Sequence, residues 1–133
     1  MINYGKQFID DEDIDEIIKV LKSDYLTQGP TVKRFEEAIS KKVKVKYAVA
    51  SNSGTSSLHL ACLALGLTKG DILWTVPNTF VASANCGRFC GADVDFVDID
   101  PGTWNMSVTE LEKKLAKAKK NNCLPKIEAK ETV

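Results

Sequence analysis

The run Ser51-Asn52-Ser53-Gly54-Thr55-Ser56-Ser57 sets five hydroxyl side chains around one glycine, between a strand-like stretch at 47–50 and a helix-like stretch at 58–65. A strand that turns through small hydroxyl residues into a helix N-terminus presents unpaired backbone N–H groups beside hydroxyl donors, which is the chemistry a phosphate group needs. The same residues are also the commonest helix caps, and Asn-Ser-Gly is an ordinary turn sequence. Local chemistry therefore leaves two readings, a phosphate cradle or a cap.

A second feature is Pro77-Asn78-Thr79-Phe80, which places an aromatic ring at the expected start of a helix. Phe80 is read either as a buried core residue or as a flat ring that stacks on a flat ligand. The lone histidine, His59, lies one turn into the helix after the hydroxyl loop and is expected to pack or face solvent. The four cysteines, Cys62, Cys86, Cys90 and Cys123, have neither CxxC spacing nor histidine partners, so no metal site is expected. Cys86 and Cys90 share a helix face and read as reduced core thiols.

The elements that must position these residues follow from periodicity. Ile14, Ile17, Ile18 and Leu21 recur at helical spacing behind the acidic Asp10-Asp11-Glu12-Asp13, predicting an amphipathic helix at 11–23. Pro30 opens a second helix, to about Lys42, with Val32, Phe35, Ala38 and Ile39 on its buried stripe. Short apolar runs then alternate with helical stretches: strands at 46–50, 72–76 and 94–99, helices at 55–66, 79–90 and 107–120. Such alternation argues for an α/β fold with a parallel sheet covered by helices. Gly66, Gly70 and Gly91 mark helix stops, and Asp100-Pro101-Gly102 a turn. In such sheets ligands lie beyond the carboxyl ends of the strands, where residues 51–57, 77–80 and 98–100 would meet.

The 133 residues are 44% hydrophobic, with 18 basic and 18 acidic residues in balance, which fits a globular domain and excludes a global field for nucleic acid or an anionic membrane. No apolar run approaches the roughly 20 residues of a membrane span, and the N-terminus lacks a secretory apolar core, so a cytosolic location is expected.

The ordered motifs resemble one family. Tyr25-Leu26-Thr27-Gln28-Gly29-Pro30 with Phe35-Glu36, then Ser53-Gly54-Thr55-Ser56-Ser57-Leu58-His59, Gly70-Asp71, Pro77 through Asn85, Phe96-Val97-Asp98-Ile99-Asp100 and Trp104-Asn105 are similar in order and spacing to the DegT/StrS enzymes. These are fold-type I pyridoxal-phosphate enzymes that aminate keto-sugars attached to nucleotides. The likeness spans about Met1 to Pro125, and the wording from Asp71 to Asn85 is most similar to the aminotransferases of pseudaminic acid biosynthesis.

The resemblance implies pyridoxal 5′-phosphate as cofactor, with Gly54, Thr55 and Ser56 on its phosphate and Phe80 on its pyridine ring. It implies Thr27, Gln28 and Gly29 on the substrate side, a UDP-linked 4-keto-6-deoxy-N-acetylhexosamine as acceptor, glutamate as donor, and a homodimer. It divides the chain into an N-terminal helical segment at 1–45, part of the cofactor-binding large domain at 46–125 and a divergent or disordered tail at 126–133. Members of the family are roughly three times this length, and their Schiff-base lysine and the aspartate on the ring nitrogen lie beyond position 133. No catalytic residue is therefore assigned among the sixteen lysines here, and the 133 residues alone are expected not to transaminate. Two alternatives stand beside this reading: a non-catalytic module that binds a phosphate ligand or a partner subunit, and a related sugar dehydratase.

Overall fold

The computed structural model describes residues 5–121, so Cys123 and the tail at 126–133 lie outside the described residues. The chain divides into two compact units, Met1–Ala50 and Ser51–Val133.

The first unit holds two helices, α1 (Asp11–Leu21) and α2 (Pro30–Val43). Asp10 caps α1 by accepting the Asp13 N–H at 3.1 Å, while the Asp13 carboxylate accepts the Asp10 N–H at 3.2 Å, so two orphan donors are satisfied reciprocally. Pro30 stands in the first turn of α2, where its missing N–H costs nothing. Both helices form where the periodicity predicts, but their apolar stripes are not buried. Ile14, Ile17, Ile18, Leu21, Val32, Phe35, Ala38 and Ile39 are all exposed. A stripe needs an opposing layer, and two helices alone supply none.

The stretch at 46–50 is a second correction. It is not a strand; residues 47–50 carry no ladder, and the Ala50 N–H is donated instead to the Glu36 carboxylate at 2.8 Å. A strand exists by pairing, and the described residues of this unit hold no other strand for it to pair with.

The second unit runs α3 (Gly54–Ala64), β1 (Ile72–Thr75), α4 (Ala82–Phe89), β2 (Asp93–Phe96) and α5 (Val108–Lys120). β1 and β2 are parallel, in a register that pairs Ile72 with Asp93 and Thr75 with Phe96, with α4 as the crossover. The described sheet thus has two strands rather than three. Gly66 and Gly91 stop α3 and α4 at φ of +77° and +80°, each with the paired backbone bonds of a Schellman motif. α4 begins three residues later than predicted, because Ser83 and Ala84 donate to Phe80 and Val81 in tighter i to i+3 turns.

The core of this unit is small: Cys62 from α3, Ala82 and Cys86 from α4, Ala92 and Val97 beside β2. α4 lies so close to the sheet that a Cβ on Gly87 would meet the Leu73 Cβ at 2.9 Å and a Val94 methyl at 3.4 Å. Gly87→Ala therefore sets a helix-propensity gain of about 1 kcal/mol against about 1–3 kcal/mol of overpacking. Overpacking should win, and the urea midpoint of the variant should lie below that of the parent chain.

Candidate functional site

The hydroxyl loop opens α3. Ser53 is extended, at φ −163° and ψ 159°, and caps the helix by accepting the Ser56 N–H at 3.1 Å. Its own hydroxyl donates to Ser56 Oγ, also at 3.1 Å. Ser51 donates to the Ser53 carbonyl at 2.9 Å, so the 2.5 Å contact between Ser51 and Ser57 is a bond donated by Ser57.

This wiring sorts the loop into residues that hold its shape and residues that face outward. Ser51, Ser53 and Ser57 spend their protons on the loop itself. The Ser56 N–H is also taken, but its hydroxyl, having accepted from Ser53, keeps its proton to donate. The N–H groups of Gly54 and Thr55 have no intrahelical acceptor, and the half-buried Thr55 hydroxyl makes no hydrogen bond among the described residues. Four donors thus remain at one helix end: two N–H groups and two hydroxyls.

Gly54 is explained neither by a positive φ nor by crowding, because a Cβ there would meet nothing within 4 Å. Its effect is to keep the approach to those donors open. The first turn of α3 carries no acidic residue, so its partial positive charge is uncompensated, unlike α1 and α5. The cap and the cradle are therefore one arrangement, and it fits the phosphate of the expected cofactor.

Phe80 sits at the carboxyl side of β1, in the turn before α4, and is 74% exposed. Its ring is available rather than core-bound. Thr79 and Ser83 share a hydroxyl bond of 3.0 Å across that turn, a link signalled in the sequence only by two hydroxyls four residues apart. Thr27, Gln28 and Gly29 lie in the first unit, on the loop between α1 and α2, where a Cβ on Gly29 would collide with the Tyr25 Cβ at 2.6 Å. His59 packs edge-on against Phe89, with ring centroids 5.4 Å apart.

The third strand-end segment is structural. The Asp100 carboxylate accepts the N–H groups of Thr103 at 2.8 Å and Gly102 at 3.0 Å, and the Thr103 bond foremost holds it below the usual carboxylate range. Asp98 closes the same turn through its carbonyl, which accepts the Ser107 N–H.

A cavity of about 520 Å³ lies between α5 and the sheet, lined by Trp74, Asp95, Phe96, Lys113, Lys114 and Lys117 among others, and it contains none of the cradle residues. Two of its lysines are already engaged. Lys114 pairs with Asp95, donates to the Phe96 carbonyl at 2.6 Å and lies 5.1 Å from the Trp74 ring centroid, while Lys113 pairs with Glu110 at 2.7 Å. This pin between α5 and β2 was not legible from local sequence.

The Lys114 bond is also the main cause of the lowered Asp95 pKa. A carboxyl depressed in the folded state adds stability above its unfolded pKa of about 3.9, and that stability fades as pH falls through the folded value. Asp95→Asn should therefore lower the unfolding midpoint at pH 7 and flatten its decline on acidification. Circular dichroism between neutral and acid pH checks both, and the effect should be small because the pair is largely exposed.

Four unpaired donors at the first helix of a parallel α/β unit, followed by an exposed ring after the next strand, are an arrangement that could hold the phosphate and the ring of pyridoxal phosphate. Residues 7–122 match the DegT/DnrJ/EryC1/StrS aminotransferase family, and the chain belongs to it. A UDP-4-amino-4,6-dideoxy-N-acetyl-beta-L-altrosamine transaminase of Campylobacter jejuni is 46% identical over 117 residues, which are 88% of this chain and 31% of that protein. A protein of Streptococcus pneumoniae assigned as a sugar aminotransferase, solved in its PLP form, superposes with a TM-score of 0.81 at 29% identity, over 84% of this chain and 29% of that one. A GDP-4-keto-6-deoxymannose-3-dehydratase superposes with a TM-score of 0.77 at 31% identity, over 84% and 31%. The chain thus spans about a third of the length of the proteins it matches. Pyridoxal 5′-phosphate is the cofactor of this family.

Proposed function

We propose that residues 51–57 and the first turn of α3 hold the phosphate of pyridoxal 5′-phosphate. The N–H groups of Gly54 and Thr55 and the hydroxyls of Thr55 and Ser56 are the donors, and Phe80 stacks on the pyridine ring. The observation that carries the reading is the set of four free donors beside an uncrowded glycine. When bound, the cofactor supplies an electron sink; these residues supply its anchorage and orientation. Thr27, Gln28 and Gly29 serve the substrate side.

The whole protein transfers an amino group from glutamate to a UDP-linked 4-keto-6-deoxy-N-acetylhexosamine, UDP-2-acetamido-2,6-dideoxy-β-L-arabino-hexos-4-ulose, in pseudaminic acid or related surface-sugar biosynthesis. It works in the cytosol as a homodimer. The likeness to the Campylobacter transaminase supports this acceptor. The 133 residues alone bind the cofactor and do not turn over.

Protein expressed from the complete reading frame should release 2-oxoglutarate and a 4-amino sugar when given glutamate and this keto-sugar. Failure to form 2-oxoglutarate contradicts the reading. The likeness to a dehydratase favours a second reading, marked by a product one hydroxyl poorer and carrying no new amino group.

Phe80→Ala separates the ring from the phosphate. An exposed side chain contributes little to folding, so stability should be unchanged, whereas a lost stacking contact of about 0.5–1.5 kcal/mol weakens binding by up to about tenfold. In calorimetric titrations of the 133-residue chain, pyridoxamine 5′-phosphate and pyridoxamine should be weakened alike.

A further inference from the structure

Phe80 is 74% exposed and has no aromatic partner among the described residues, so packing does little to fix its ring. A ring that stacks must still start from a fixed backbone, because each freedom lost on binding subtracts from affinity. The bonds that fix this backbone converge on one residue, Ser83, half-buried in the first turn of α4. The Ser83 N–H donates to the Phe80 carbonyl at 3.0 Å, and the Ser83 hydroxyl shares a bond of 3.0 Å with the Thr79 hydroxyl. Phe80 is therefore gripped twice, through its own carbonyl and through the side chain of the residue before it.

Ser83 is itself anchored. Its neighbour Ala82 and Cys86 one turn on are both buried, and the Cys86 thiol donates to the Ser83 carbonyl at 3.4 Å. The hydroxyl bond also does not serve the usual end of a Ser or Thr before a helix. α1, α3 and α5 are each capped by a side chain that accepts a backbone N–H, whereas α4 has no side-chain cap, and Thr79 turns its hydroxyl to that of Ser83 instead. The chain between β1 and α4 is thus tied side chain to side chain around Phe80.

We propose, on the basis that Phe80 stacks on the pyridine ring, that Thr79 and Ser83 are positioning residues: their shared hydroxyl bond holds the Phe80 backbone in the conformation from which the ring stacks. Both act through Phe80 rather than on the ligand.

The pair adds little to folding. Thr79 is exposed, so its hydroxyl bonds to water when Ser83 loses its own, and alanine in place of serine favours the helix. A change in binding with stability kept is therefore the mark of positioning.

Calorimetric titration of the 133-residue chain with pyridoxamine reads the pair through the ring, with no phosphate to mask the effect. Ser83→Ala and Thr79→Val should each weaken pyridoxamine about two- to fivefold, a part of the up to about tenfold that stacking is worth. The thermal midpoint and circular dichroism should stay those of the parent chain. Thr79→Ser, which keeps the hydroxyl, should bind as the parent does. In a Phe80→Ala background neither substitution should weaken binding further, because residues that act through one contact are not additive. A further loss in that background, a loss in Thr79→Ser equal to that in Thr79→Val, or parent affinity in Ser83→Ala and Thr79→Val while Phe80→Ala weakens binding, overturns the inference and leaves the stacking of Phe80 standing. Parent affinity in Phe80→Ala overturns the stacking, and the inference with it.

Discussion

Gly54→Asp should leave the chain folded and largely abolish its discrimination between pyridoxamine 5′-phosphate and pyridoxamine. The position is open, with nothing within 4 Å of a Cβ, so the new side chain meets no obstacle. Aspartate in a first helical turn also favours the helix, by about 0.3–1 kcal/mol. Stability should therefore hold or rise. The same carboxylate stands where the phosphate would dock, and two like charges about 4 Å apart repel by about 1 kcal/mol in water and about 4 kcal/mol near a protein surface. Affinity for the phosphate-bearing ligand should fall roughly five- to a thousandfold, while pyridoxamine, which lacks the phosphate, is spared. The opposed signs for folding and binding make the result specific: an unfolded variant lowers both, and a loop that is only a cap lowers neither. Calorimetric titration with the two ligands, alongside thermal unfolding, reads both signs.

Val97→Ala should cost about 2 kcal/mol of stability, from roughly 0.8 kcal/mol for each methylene equivalent removed plus the cavity left behind. Val97 is 2% exposed and is the largest fully buried side chain described. Its backbone N–H donates to the Thr75 carbonyl at 2.8 Å, a bond that alanine keeps, so the loss isolates packing from the sheet ladder. The companions of Val97 in the core are two cysteines and two alanines, which leave little apolar volume in reserve. A shift in the urea midpoint with an unchanged slope is the expected signature.

Local signals in the sequence carried the helices and most of their ends. The acidic run before Ile14 became a capping box, Pro30 stands in the first turn of α2, and Gly66 and Gly91 close α3 and α4 in the left-handed region. What depended on distant partners was not legible. The stretch at 46–50 has strand composition but no strand beside it among the described residues of its unit, and the stripes of α1 and α2 are amphipathic yet exposed. The Lys114 pin joins residues 18 and more apart and leaves no periodic trace.

The candidate site was half legible. The hydroxyl types at 51–57 and the place of Phe80 before a helix could be read directly, because they are matters of composition and order along the chain, whereas the exposure of the Phe80 ring could not. Which of the hydroxyls face outward could not, since Ser51, Ser53 and Ser57 look identical to Ser56 until their bonds are traced. The division is physical: a turn can satisfy only some of its donors internally, and the remainder define what it can hold.

The most direct test of the cradle is an amide chemical-shift titration of the 133-residue chain with pyridoxamine 5′-phosphate, which carries the phosphate but no aldehyde to react with stray lysines. The Gly54 and Thr55 amides should shift first and furthest, with those of Ser56 and Phe80 following. Shifts confined to the lysine-rich end of α5, or no shift at Gly54 and Thr55, would contradict the account.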